Sequence, residues 1–334
     1  MLMKNPKLPC VAMMMWMALP GFGAVVQSVS ESFVGSAVTI PGVQASTERI
    51  GFFSLRSVRP AVYSGKVTAV AATSITDSGA NWTSAQFAGR GALYAEFANG
   101  VEADIQQVSF GPKRLSFSGN LPASITVGVP YKIREHHTVA EVFGSTNQTG
   151  LLTGANDAAA EAIFHFDAET QQRRTYFYLS YNGVTGWVQT DYSPASNIVI
   201  YPEQGLMVKR RTASNMTLTS SGPLKQAPSK IYLFPGNNLL GVYNRSTPVT
   251  LDSLNLVSAG FAGGPNADVG DMIRKINPDG LSTSTYFYLN LVGFEGWYDI
   301  GYLPAGNVTL SPGAVFMLYR RPPGAVLEWT LPQQ

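Results

Sequence analysis

The stretch TYFYL stands at residues 175–179 and again at residues 285–289. Sliding the chain along itself by 110 places aligns 175–211 with 285–321 without a gap, and 16 of those 37 positions are identical. The matches include Gly183/Gly293, Gly186/Gly296, Trp187/Trp297, Tyr192/Tyr302 and the pairs Arg210–Arg211 and Arg320–Arg321. Identity at that density marks a duplicated unit. The match continues more loosely upstream, where Asn156 meets Asn266, Glu161 meets Asp271 and Ile163 meets Ile273.

Each copy spells the same succession of elements. An Asn-capped turn (NDAAAEAI or NADVGDMI) precedes a hairpin that pairs IFHF or IRKI with TYFYL. The second hairpin turns on NPDG, residues 277–280. A glycine-marked turn leads to a strand at the tryptophan, and NIVIYP/NVTLSP and LMVKRR/FMLYRR close the unit. No long amphipathic helix lies between these strands, which excludes a parallel, doubly wound sheet.

Composition agrees. With 33 Gly, 21 Pro and 13% charged residues, the 334-residue chain reads as short strands joined by many turns. Residues 59–135 carry six strand-like runs and one short helical piece, NWTSAQFAG, which predicts a small, partly closed barrel. The expected fold is all-β with minor helix: a small N-terminal β-barrel-like domain followed by two tandem β-sandwich-like units. The boundaries are 25–58 for N-terminal strands that dock on the rest, 59–135 for the barrel, 136–228 for the first unit and 229–334 for the second.

The first 24 residues read as a signal peptide. Lys4 and Lys7 precede an apolar run at 8–18, and PGFGA offers cleavage after Gly23 or Ala24. Eleven residues are too few to span a bilayer. Removing Lys4 and Lys7 from 23 basic residues leaves 21, which balance the 21 acids. Net charge zero gives no electrostatic case for nucleic acid or an anionic membrane. Cys10, the one cysteine, leaves with the signal, so neither a disulfide nor thiol chemistry is expected.

GFFSLRSVRPAVYSGKVTAV, YKIREHHTVAEVFG, TYFYL with its following GW, IYPEQGLMVKRR and MTLT resemble a family of exported, multi-copy bacterial proteins of verrucomicrobial type, to which no activity is assigned. The resemblance runs from about residue 51 to 224, with the second copy a further instance of its C-terminal unit. It implies export and architecture, and brings no catalytic or ligand role to any residue.

Chemistry-bearing residues are sparse. His136, His137 and His165 stand in no HExxH, GxSxG or Walker pattern, and Lys275 replaces His165 in the second copy. Glu161/Asp271 and Glu141/Asp252 are read as solvent-facing acids or as complements to a helical turn. Asn266, Asp268 and Asp271 could offer oxygens to Ca²⁺, but the first copy has only half that set, so no metal and no cofactor is expected. The arginine pairs are read first as edge charges that block unwanted strand pairing, and second as partners for carboxylates.

The aromatics carry the remaining signal. On an extended strand Tyr176 and Tyr178 point opposite to Phe177 and Leu179, a pattern repeated at Tyr286 and Tyr288. With Trp187, Tyr192, Trp297 and Tyr302 these tyrosines form either core or a platform for a partner or sugar rings. The first expectation is therefore a non-enzymatic structural or adhesive protein of the bacterial periplasm or cell surface, binding itself or a surface polysaccharide. A glycan-binding module comes second and a hydrolase without a recognisable motif third. Burial of the tryptophans discriminates the first two.

Overall fold

The structure, a computed structural model, describes residues 32–44, 47–277 and 282–332. The signal segment, and all of the NPDG turn but Asn277, lie outside the described residues. The chain is all-β, as the turn-rich composition predicts, and every pairing between its strands is antiparallel.

Each copy builds one five-stranded sheet. In the first the order is Val184–Gln189, Gln172–Tyr181, Ala162–Asp167, Gly205–Arg210 and Arg49–Ser54. In the second it is Phe294–Asp299, Thr283–Leu291, Met272–Ile276, Val315–Arg320 and Gly236–Gly241. Two ribbons accompany each sheet. Phe33–Ile40 pairs with Met216–Pro223, as Ser229–Leu233 does with Leu327–Leu331. His137–Thr138 pairs with Val199–Ile200, as Val249–Thr250 does with Thr309–Leu310.

The correspondence is complete strand for strand and in the same order, with one insertion after the first two strands, Phe33–Ile40 and Arg49–Ser54. The fifth strand of the first sheet comes from Arg49–Ser54, ahead of the barrel. The first unit is thus discontinuous, and the barrel is threaded into it at the place where the second copy has only a short connection after Gly241. The expected 136–228 span holds four of its five strands.

The barrel region forms a seven-stranded sheet that begins with Ala61–Lys66 and ends with Ala69–Ala71. These edge strands are consecutive in the chain, so the sheet curls back upon itself. The stretch KVTAV, residues 66–70, is divided between them, and the sheet has seven strands where six strand-like runs are expected. A single helical turn, Ser84–Phe87, starts where Thr83 N donates to Gln86 Oε1 at 2.8 Å.

The two five-stranded sheets meet as a pseudo-twofold pair. Gly205 and Val315 are equivalent positions, and a β-carbon on Gly205 would fall 2.6 Å from Val315 Cγ1. Ser54 and Gly241 are also equivalent, paired to Gly205 and Val315 respectively, and a β-carbon on Gly241 would lie 2.3 Å from Ser54 Cβ. Contacts between equivalent residues occur only near a twofold axis, as in an isologous dimer interface. The chain is built as a fused dimer of its own repeat.

Candidate functional site

Tyr176, Tyr178 and Trp187 join Ile163, Phe53, Leu206 and Val208 in the main core of the first copy. Tyr286 and Trp297 occupy the matching core of the second, with Tyr288 half-buried against it. The opposite face of the TYFYL strand is covered too: Phe177 and Leu179 pack with Ala160, Ala162, Phe164 and Val188. Tyr192 stands edge-on to Phe177 on that side, while Gly154 pairs in the plane of the sheet with Leu179. The tyrosines therefore face the larger core, and neither indole presents a face to a ligand. Trp187 is 1% exposed and Trp297 4%.

Of the eight, Tyr192 and Tyr302 are exposed, at 53% and 51%. Each sits in the left-handed backbone region (φ 64° and 61°) and stands edge-on to Phe177 or Phe287. A non-glycine residue held there costs about 1–3 kcal/mol, so the ring packing must hold it in place. The other six aromatics thus take the core alternative, and Tyr192 and Tyr302 stand apart from them at the surface.

Glu141 and Asp252 stand in the first turns of short helical segments, as read, but the reading of Glu161, Asp271 and the arginine pairs is corrected by the structure. Glu161 is fully buried. Its Oε1 accepts from Arg210 Nε at 3.0 Å and from the Arg211 and Thr212 N–H groups, and its Oε2 accepts from Leu152 N–H. Burial pushes this carboxyl up, but the Arg211, Leu152 and Thr212 amides and the Arg210 guanidinium outweigh it and hold it below the usual range. Asp271 repeats the arrangement, accepting from Arg321 N–H at 2.7 Å and Ala262 N–H at 2.9 Å. These acids are ties between the Asn-capped loop and the last sheet strand. The arginine strands lie inside their sheets, flanked on both sides, so the edge-charge reading does not apply. As alternation requires, Arg210 is buried while Arg211 turns outward to Glu48.

The histidines have structural partners as well. His137 approaches Ser57 O and Glu141, and Glu141 also meets Arg59 at 3.1 Å. Buried His165 is held below its ordinary pKa by desolvation and by Arg174. His136 Nε2 lies 2.9 Å from Asp104 Oδ1, its ring stacks on Tyr94, and Tyr201 OH donates to Asp104 Oδ2 at 3.0 Å. That last group bridges barrel and first repeat, and spacing along the chain gave no sign of it. Among the described residues no set of three His, Cys, Asp or Glu side chains is placed to hold a metal ion. Nor is any described helix long and apolar enough to cross a membrane.

What remains unsatisfied is apolar surface, and it is concentrated on the second copy. At the tip of its outer hairpin Val292 is fully exposed and Phe294 64% exposed. At the other end of that edge strand, Ile300 and Leu303 are 68% and 65% exposed. The equivalent residues of the first copy are Asn182, Val184, Thr190 and Ser193. Three of the four are polar, and Ser193 Oγ is hydrogen-bonded to Asp191 and Gln189.

Compared with protein-family models, curated proteins and solved structures, the chain matches none of them.

Proposed function

We propose that this chain is a non-enzymatic structural or adhesive protein, exported to the bacterial periplasm or surface, whose second repeat carries the contact surface. The observation behind this reading is the apolar edge at Val292, Phe294, Ile300 and Leu303, where a same-fold copy in the same chain is largely polar. Large apolar side chains exposed in pairs at both ends of one edge strand are the kind of surface that marks interaction sites. The repeats supply rigidity: their acids, arginines and tryptophans act as internal ties. The sequence resemblance to an exported, multi-copy family is consistent with this role.

The test is sedimentation velocity on residues 25–334 across concentration, beside a variant carrying Val292→Asn, Ile300→Thr and Leu303→Ser. Association in the parent chain, lost in the variant at unchanged thermal midpoint, supports the reading. Identical monomeric behaviour together with binding of a polysaccharide by both proteins would move the glycan reading forward, with Tyr192 and Tyr302 as its contacts.

A further inference from the structure

Each five-stranded sheet ends in an edge strand beside the seam between the copies: Arg49–Ser54 in the first and Gly236–Gly241 in the second. The edge of the second sheet is closed by residues of the first copy. Gln171 acts there as a substitute strand residue. Its Oε1 accepts from Asn237 N–H at 2.8 Å, and its Nε2 donates to Asn237 O at 2.9 Å. Further along the same edge, Gly241 N–H donates to Glu203 O at 2.8 Å and Leu240 bridges to Gln204.

The matching edge of Arg49–Ser54 is not closed in this way. Arg211 N–H donates to Glu161, which lies on the side of Ala162–Asp167. By alternation Lys209 and Met207 bond to that side, while Arg210, Val208 and Leu206 bond to Arg49, Gly51 and Phe53. The N–H and C=O groups of Ile50 and Phe52 therefore point out of the sheet, as do those of Asn237, the counterpart of Ile50. Among the described residues no hydrogen bond reaches these outward groups. Leu281, whose side chain has no amide, stands where the first copy has Gln171. Along this edge runs a groove of about 270 Å³, walled by Ile40, Gly51 and Phe52 of the first copy and by Ile276, Pro312 and Val315 of the second. Among the described residues that line it, Arg49 is the one charged side chain.

We propose that this groove binds an extended acidic peptide, which adds a strand to the edge of Arg49–Ser54 and sets a carboxylate against Arg49. The second sheet shows what such an edge accepts: an amide that both gives and takes a hydrogen bond at Asn237. An extended peptide carries that group at every residue, at the spacing Ile50 and Phe52 require. Its alternate side chains face the apolar walls, and the lone cation selects an acid among them. Walls from both copies favour a single chain over the edge of another folded sheet. The groove is separate from the apolar edge at Val292 and Phe294, and does not rest on the role proposed for it.

The test is NMR titration of residues 25–334 with two capped peptides, TVEVT and TVQVT. TVEVT is expected to shift the amides of residues 49–54 and 311–315 and to slow hydrogen exchange at Ile50 and Phe52. It should bind about tenfold more tightly than TVQVT, and Arg49→Gln should remove that preference. TVEVT methylated at its backbone nitrogens should not bind. Ser311 is exposed and lines the groove, so Ser311→Trp should block both peptides at unchanged thermal midpoint. Shifts confined to other parts of the chain, equal affinity for the two peptides, or binding that survives methylation would overturn the proposal. So would the absence of any shift at millimolar peptide. Should Arg49→Gln fail to fold, the comparison of the two peptides on the parent chain decides.

Discussion

The two copies of the repeat solve the same problems with different residues, and the differences show which parts of the unit are fixed by the fold. Both must satisfy the carbonyls at the end of a short helical segment that packs over the sheet. In the first copy the helix Val139–Phe143 ends at Gly144, whose carbonyl accepts from Trp187 Nε1 at 2.7 Å. In the second copy the segment Asp252–Leu254 ends with a carbonyl that accepts from Trp329 Nε1 at 2.8 Å. The ring of Trp297 still fills its core, beside Phe261 and Tyr288. Ring volume at this position is thus common to both copies, and the hydrogen bond has moved to another strand.

The buried acid differs in the same way. Glu161 reaches Arg210 at 3.0 Å, whereas the shorter Asp271 leaves Arg320 Nε 3.9 Å away. Arg320 Nη1 donates instead to the Leu233 and Ala325 carbonyls. One methylene decides whether the tie is an ion pair or a set of amide contacts.

The sharpest way to break the comparison is to delete each acid. Glu161→Ala should cost about 3–5 kcal/mol, because it leaves the buried Arg210 without its carboxylate. Asp271→Ala should cost less, about 1–3 kcal/mol, since Arg320 keeps its carbonyl partners. Chemical denaturation of the two variants reads the difference, and equal losses would show that the ion pair adds nothing beyond the amide contacts.

Next in size is the seam between the copies. Gly205→Ala would push a β-carbon into Val315 and Leu239, and overpacking of this kind costs about 1–3 kcal/mol. Combining it with Val315→Ala should recover much of that loss. If no recovery is seen, the two positions do not meet across the pseudo-twofold axis.

The tryptophans give a smaller contrast. Trp187→Phe should destabilise by about 1–2 kcal/mol more than Trp297→Phe, the worth of a buried donor–acceptor pair whose carbonyl is left unpaired. Thermal unfolding measures it. The smallest effect on stability belongs to the apolar edge: Val292→Asn and Ile300→Thr should stay within about 0.5 kcal/mol while altering association. A large loss of stability there would mean that these side chains belong to the core of the fold and not to a contact surface.

The repeat, its strand succession and its all-β character were legible in the chain. Alternation in TYFYL, the Gly183/Gly293 turns and the 110-residue period are local signals, and local signals survive without knowledge of distant partners. The Asn156 and Asn266 turns were found where expected, each asparagine accepting an N–H two or three residues on. Less legible was what each face of a strand would meet. Alternation separates Tyr176 from Phe177 but cannot say that both faces will be covered, one by ribbon residues such as Ile40 and Leu218 and the other by Ala160 and Tyr192.

Sequence by itself determined that the chain is β-rich, duplicated and without a recognisable catalytic motif, because periodicity, glycine placement and identity between copies are properties of neighbouring residues. Only the tertiary structure decided that Arg49–Ser54 completes the first repeat across an inserted barrel, that the tryptophans are core, and that Lys225 pairs with Glu102 of the barrel. The first and last of those facts join residues more than 100 positions apart, and Trp187 reaches Gly144 across 43. A contact between distant segments is set by how whole sheets pack against one another, and no local pattern in the chain encodes it.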